Sequence, residues 1–187
     1  VAFRIPNTFR RLFAEGTFNS AFIPSYMSEL VKNKSRSNKF ANDVFNLLFL
    51  VLFFLVLIIE IFMPIFVGLI APGFVEDIKK FELATSLTRI TFPFLLFVSL
   101  SSFFSAILNS HNKFAAASAA PIVLNIVLII ILLFGRYLGD ELIYYLSYGI
   151  SLAGLLQLIF LYRFVKKYYV IDFDLKFKIT NKVKIFF

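Results

Sequence analysis

Apolar residues fall into long uncharged runs separated by short, charge-rich stretches. Ile90–Ser110, Phe114–Gly135 and Leu142–Tyr162 each exceed 20 residues, the length a helix needs to cross a hydrocarbon core of roughly 30 Å. Val44–Ile59 is shorter, with Asn46 its one polar interruption, and reaches spanning length by continuing past Glu60 to Ile70. With a more polar helix near the start, the pattern predicts helices over about Asn7–Leu30, Asn42–Ile70, Lys80–Asn109, Ala116–Phe134 and Glu141–Tyr168. Ala71-Pro72-Gly73 ends the second, while Pro64, Pro93 and Pro121 are expected to bend their helices. Val170–Lys184 alternates apolar and polar residues, as a short strand or an interfacial connector would, and Asn181–Phe187 reads as the start of a further helix. The expected fold is an all-α integral membrane protein, with five transmembrane helices forming one unit over residues 1–187.

Composition narrows the class. Sixty per cent of the residues are hydrophobic and 27 are Phe; a soluble domain of this size would leave much of that surface uncovered and aggregate. There is no cysteine, hence no disulfide or thiolate metal site, and the single histidine, His111, excludes a multi-histidine centre. No metal or cofactor is expected. Val1 is not preceded by a methionine and no signal-peptide pattern opens the chain, so an N-terminal portion is expected to be missing.

Charge gives the orientation. Lys32, Lys34, Arg36 and Lys39, then Lys113, then Arg163, Lys166, Lys167, Lys176, Lys178, Lys182 and Lys184 share one side if five helices alternate. The opposite connections hold Lys79, Lys80 and Arg136 beside Glu76, Asp77, Asp140 and Glu141. The positive-inside rule makes the basic side cytoplasmic. The net charge of +8 is therefore mainly a topology signal, and no nucleic-acid partner is expected. No phosphate-cradling glycine loop, zinc-binding helix motif or nucleophile elbow occurs, so an enzyme is not expected.

The first helix is the exception to the apolar pattern. Arg4, Arg10, Arg11 and Glu15 precede an uncharged run, Gly16–Ser28, that itself contains Thr17, Asn19, Ser20, Ser25 and Ser28. A charge at mid-bilayer costs roughly 2.5–3.5 kcal/mol on insertion scales. Asn7, Arg10, Ala14, Thr17 and Ala21 recur at helical spacing on one small, polar face, and Arg11 and Glu15 stand four apart. Two readings stay open on spacing alone. The face lines a polar cavity where Arg10 offers a planar cationic fork to phosphate oxygens, or the arginines reach to lipid headgroups from a helix end. Elsewhere, Glu60 and Arg89 fall near one membrane face, Glu60 as an interfacial or structurally paired carboxylate with proton or ion coupling as the alternative, and Arg89 as a side chain snorkelling to that face. Asn125 and Gln157 are isolated amides suited to helix–helix hydrogen bonds, and His111 lies in a turn where solvation is expected.

The run RIPNTFRRLFAEGTFNSAFIPSY (Arg4–Tyr26) resembles the second transmembrane helix of the MurJ (MviN) lipid II flippases, of the multidrug/oligosaccharidyl-lipid/polysaccharide exporter superfamily. LIAPGF (Leu69–Phe74), RITFPFLLFVSL (Arg89–Leu100), AILNSHNKF (Ala106–Phe114), APIVLNI (Ala120–Ile126) and GLLQL (Gly154–Leu158) extend the resemblance over essentially the whole chain. It implies helices two to six of the N-terminal lobe of a 14-helix flippase. Such a protein moves lipid II, an undecaprenyl-diphosphate-linked peptidoglycan precursor, across the bacterial inner membrane by alternating access. On this resemblance Arg10 matches a cavity arginine of the family, with Arg11 and Glu15 in the same motif. Asn7, Thr17, Glu60, Arg89 and Asn125 are further cavity or structural polar candidates. The family's first helix, with its arginine–aspartate pair, and its second lobe are not matched, so this stretch alone is not expected to transport. The implied partners are lipid II and membrane lipids, with an ion gradient or the membrane potential as the energy source. A related polysaccharide-lipid or multidrug exporter, or an inactive membrane scaffold, are the alternatives.

Overall fold

The computed structural model describes residues 17–137 and 139–173, and over these it is a helical bundle. The helices are α1 (Thr17–Lys32), α2 (Lys34–Ile61), α3 (Met63–Ile70), α4 (Ile78–Thr91), α5 (Phe94–Ser110), α6 (Phe114–Phe134) and α7 (Leu142–Val165), with 3₁₀ turns at Pro72–Phe74, Gly135–Tyr137 and Gly139–Glu141. Among the described residues, four stretches are long and apolar enough to cross a membrane: Lys34–Ile61, Ile78–Ser110 taken through its break, Phe114–Phe134 and Leu142–Val165.

Capping explains the first boundaries. The Asn33 side chain accepts a hydrogen bond from Ser35 N–H at 2.9 Å, closing the gap between α1 and α2 with a single non-helical residue. This cap starts α2 at Lys34, well before the apolar run, so its first two turns carry Lys34, Arg36 and Lys39. The sequence pattern began that helix at about Asn42, because hydropathy does not register a solvated helical overhang.

Two predicted helices are each broken in two, and proline chemistry gives the reason. The first break lies at Phe62, with Pro64 in the opening turn of α3; the second lies at Phe92–Pro93, with Pro93 capping α5. Proline has no N–H to donate four residues back and is tolerated at a helix start, where that donor is unpaired anyway. Pro121, in contrast, sits inside an uninterrupted α6.

The main core joins Phe22 and Tyr26 of α1, Val44, Phe45 and Leu48 of α2, Phe103 and Ile107 of α5, and Leu161 of α7. Helix α7 packs between α5 and α6, and two glycines let it approach. A Cβ on Gly154 would come within 2.7 Å of the Phe94 ring, and one on Gly149 would collide with Ile131. A smaller cluster of Met63, Val67, Ala84, Phe92 and Leu95 binds α3 to α4 and to the start of α5. Helix α6 buries little, turning Ile122, Ile126, Ile129 and Leu133 outward, which suits contact with lipid tails.

Candidate functional site

Of the candidate binding residues, Asn7, Arg10, Arg11 and Glu15 lie outside the described residues, and Thr17 opens α1. The described part of α1 is two-faced. Phe18, Phe22 and Tyr26 stack on one another with centroids 5.4 and 5.5 Å apart, and Phe22 packs against Phe103 at 5.1 Å. Phe22 and Tyr26 are buried. Ser20, Pro24 and Ser28, on the other side, are exposed. At 100° per residue the register Arg10, Ala14, Thr17, Ala21 continues through Pro24 and Ser28, opposite Phe22 and Tyr26. Within the described residues, Pro24 and Ser28 of that register are left exposed.

Glu60 and Arg89 come together: Arg89 Nε lies 3.9 Å from Glu60 Oε2, with the Arg89 side chain about half exposed and Glu60 more sheltered. The other carboxylate oxygen, Oε1, is buried without a hydrogen-bond partner among the described residues. Asn125 is exposed on α6 and Gln157 is buried on α7.

A cluster at the basic end of the bundle was not anticipated from the sequence. Asn42 Oδ1 accepts from Tyr169 O–H at 2.5 Å and from Asp172 N–H at 3.0 Å, while its Nδ2 donates to the Val170 carbonyl at 3.3 Å. Asn46, one turn further along α2, donates to the Asp172 carbonyl at 3.2 Å. Two asparagines spaced four apart thereby serve as a backbone edge for the extended segment after α7, which runs up α2 until Phe173 meets Phe49 edge-on at 5.3 Å. Burial, reinforced by Tyr26, Asp172 and Tyr162, pushes the Tyr169 phenol far above its usual range and keeps it a donor. An i, i+4 pair of amides was the available signal; its partners lie more than 120 residues away.

His111 is a correction to the solvated reading. It shares a 3.1 Å hydrogen bond with Tyr26 Oη and stacks on Tyr168 with centroids 4.5 Å apart, so it ties α1 to the α5–α6 turn and to the segment after α7. Asn112, at φ 57°, makes the left-handed turn that sets the ring there. Burial, then the nearby Lys34 charge, lower the His111 pKa. These contacts also bring the three basic connections to one end of the bundle.

The concave features differ in character. An apolar cavity of about 390 Å³ opens between α4 and α7 at the opposite end. A wholly apolar groove of about 540 Å³ runs between α2, α5 and α7. Among the described residues no three His, Cys, Asp or Glu side chains group as a metal ion would need.

Spanning helices, outward apolar surface and charge segregated to one end define a polytopic α-helical membrane protein. The family described as Lipid II flippase MurJ matches residues 1–187. The chain is 45% identical over 168 residues to the Probable lipid II flippase MurJ of Rickettsia prowazekii (strain Madrid E), covering 89% of this chain and 33% of that protein. It is 34% identical over 160 residues to its counterpart in Helicobacter pylori (strain ATCC 700392 / 26695), covering 85% and 33%. A solved structure titled Lipid II flippase MurJ, inward closed conformation, superposes with a TM-score of 0.80 at 26% identity, covering 99% of this chain and 38% of that one. The chain belongs to the lipid II flippase MurJ family, and it spans about a third of the length of the curated relatives it matches.

Proposed function

We propose that residues 1–187 are one partial transmembrane lobe of a lipid II flippase in the bacterial inner membrane. The whole protein carries the undecaprenyl-diphosphate-linked precursor from the cytoplasmic to the periplasmic leaflet by alternating access, for cell-wall synthesis. Arg10 binds the diphosphate as a fixed cationic fork, with Arg11 and Glu15 beside it. Asn7 and Thr17 extend the same polar face, and Glu60, Arg89 and Asn125 serve as structural or cavity polar groups. No covalent step is assigned to these residues, and the driving force is an ion gradient or the membrane potential.

One observation carries the reading: on the described part of α1, Ser20, Pro24 and Ser28 are exposed while Phe22 and Tyr26 are buried opposite. A helix serving as a lipid-facing wall would present the reverse pattern. Arg10→Glu, made in the gene as its organism encodes it, tests the role. Removing one side of a desolvated charge contact costs about 2–5 kcal/mol, so lipid II translocation is expected to fall at least about tenfold with membrane insertion unchanged. Undiminished translocation in Arg10→Glu removes the assignment.

A further inference from the structure

The Glu60–Arg89 pair occupies a particular place in the fold. Glu60 is four residues before Pro64 and Arg89 four before Pro93. Each therefore sits where a proline cannot donate to the backbone carbonyl one turn back, and each belongs to the last turn before a helix break. Between the two breaks lies one continuous piece, α3, the turn at Pro72–Phe74 and α4, held together by Met63, Val67 and Ala84 and seated at its base on Phe92 and Leu95. Glu60 belongs to α2, on the trunk side of the first break, and Arg89 to α4, on the hairpin side of the second. Their 3.9 Å contact is a charged link from trunk to hairpin, beside both breaks.

Two further features surround this link. Ser151 of α7 donates to the Ile90 carbonyl at 2.5 Å, next to the second break, and Gly154 lets α7 press against Phe94 just beyond it. Outward of that contact, α4 and α7 separate around the apolar cavity of about 390 Å³, walled by Leu83, Leu87, Ile143, Leu146 and Ile150. The hairpin is thus pinned to α7 near its base and has open space beside it toward its tip. Close-packed interiors rarely leave such room.

We propose that the α3–α4 hairpin is a hinged unit on the end of the bundle opposite the basic loops, turning about the paired breaks at Phe62 and Phe92–Pro93, and that Glu60–Arg89 is the latch that holds it. Swinging over the cavity changes the α4–α7 separation; breaking the ion pair frees the swing. A pair 3.9 Å apart whose Arg89 side is half exposed suits a latch, because such contacts are weak enough to open and close. The functional meaning, a moving wall on the outward side, rests on the flippase reading; the hinge itself does not.

The test uses the full protein as its organism encodes it, in lipid nanodiscs, with cysteines at Glu76 and Tyr148 as the sole spin-labelled sites. These 187 residues hold no native cysteine. Helix α4 is a lever of about 21 Å, so a turn of roughly 15° at its base moves the tip by about 5 Å. The wild type is expected to show a dominant distance, and Glu60→Gln or Arg89→Gln to raise the share of a second distance about two- to fivefold. The charge swap, Glu60→Arg with Arg89→Glu, is expected to restore the first. An unchanged distribution in Glu60→Gln overturns the latch. So does a swap that merely combines the two single losses. Lipid II translocation measured on the same samples separates the ideas. Distances that respond in a protein that moves no lipid II remove the flippase reading and keep the hinge; translocation with unresponsive distances does the opposite.

Discussion

The two ends of this bundle are built on opposite plans. At the basic end, side chains far apart in sequence lock onto one another: Tyr26 with His111, His111 with Tyr168, Tyr169 with Asn42, and Asn42 and Asn46 with the backbone of 170–172. At the other end, two helices are interrupted, an apolar cavity separates α4 from α7, and the charged contact across the breaks is 3.9 Å long. The polar contacts of the first end interlock over 85 to 130 residues of sequence at 2.5–3.3 Å, whereas the Glu60–Arg89 contact of the second is longer, with Arg89 half exposed. The difference teaches where rigidity is placed. Local opening free energies follow burial and satisfied hydrogen bonds, so the basic end is the anchor and the opposite end the part that yields.

The comparison can be broken most forcefully at Tyr169. Fully buried and hydrogen-bonded, it is expected to cost about 3–5 kcal/mol on change to Ala. Tyr169→Phe, which leaves Asn42 short of one donor, should cost about 1–2 kcal/mol. Thermal unfolding in detergent reads both, and a Tyr169→Ala protein as stable as wild type would remove the anchor. Next in size is a pair of glycines. Gly154→Ala drives a methyl to 2.7 Å from Phe94 and is expected to cost about 1–3 kcal/mol. Gly73→Ala, with nothing within 4 Å in the loop of the yielding end, should stay within about 0.5 kcal/mol. Equal effects at the two sites would erase the contrast.

The smallest expected effect is a pH dependence at the anchor. Burial and Lys34 lower the His111 pKa from its reference of 6.5, so the folded protein favours the neutral ring and the unfolded chain binds the proton first. Stability is then level above about pH 7, falls as pH drops through 6.5, and levels again below the folded pKa. His111 is the one histidine in the chain, so His111→Gln should flatten the melting temperature between pH 8 and 5.5. A slope that survives the substitution would place the titration elsewhere.

Fold class was readable because uncharged runs of spanning length leave few alternatives in a chain so rich in Phe. The helix breaks were half readable. Pro64 and Pro93 marked them, but Pro121 carried the same signal and lies in an unbroken α6, since a missing backbone donor does not by itself decide whether the helical ladder ends there. Hydropathy also placed Glu60 and Arg89 near one face without showing that they meet, because two helices and a turn intervene. The Asn42–Tyr169 contact was hidden for a simpler reason. An amide at the edge of an apolar run looks the same whether it faces water or a chain segment 127 residues away. Of the candidate site, the polar face of α1 was read from spacing, and its continuation through Pro24 and Ser28 stands uncovered.

Helix α2 bears on how the chain enters a membrane at all. Its 28 residues amount to about 42 Å, roughly 12 Å more than the hydrocarbon core, and Lys34, Arg36 and Lys39 ride on the surplus. Dragging one positive charge outward against a membrane potential takes about 2.3 kcal/mol per 100 mV, so three take about 7 kcal/mol. During biosynthesis the overhang therefore acts as a keel: an inverted insertion would have to lift it against the cell's own voltage.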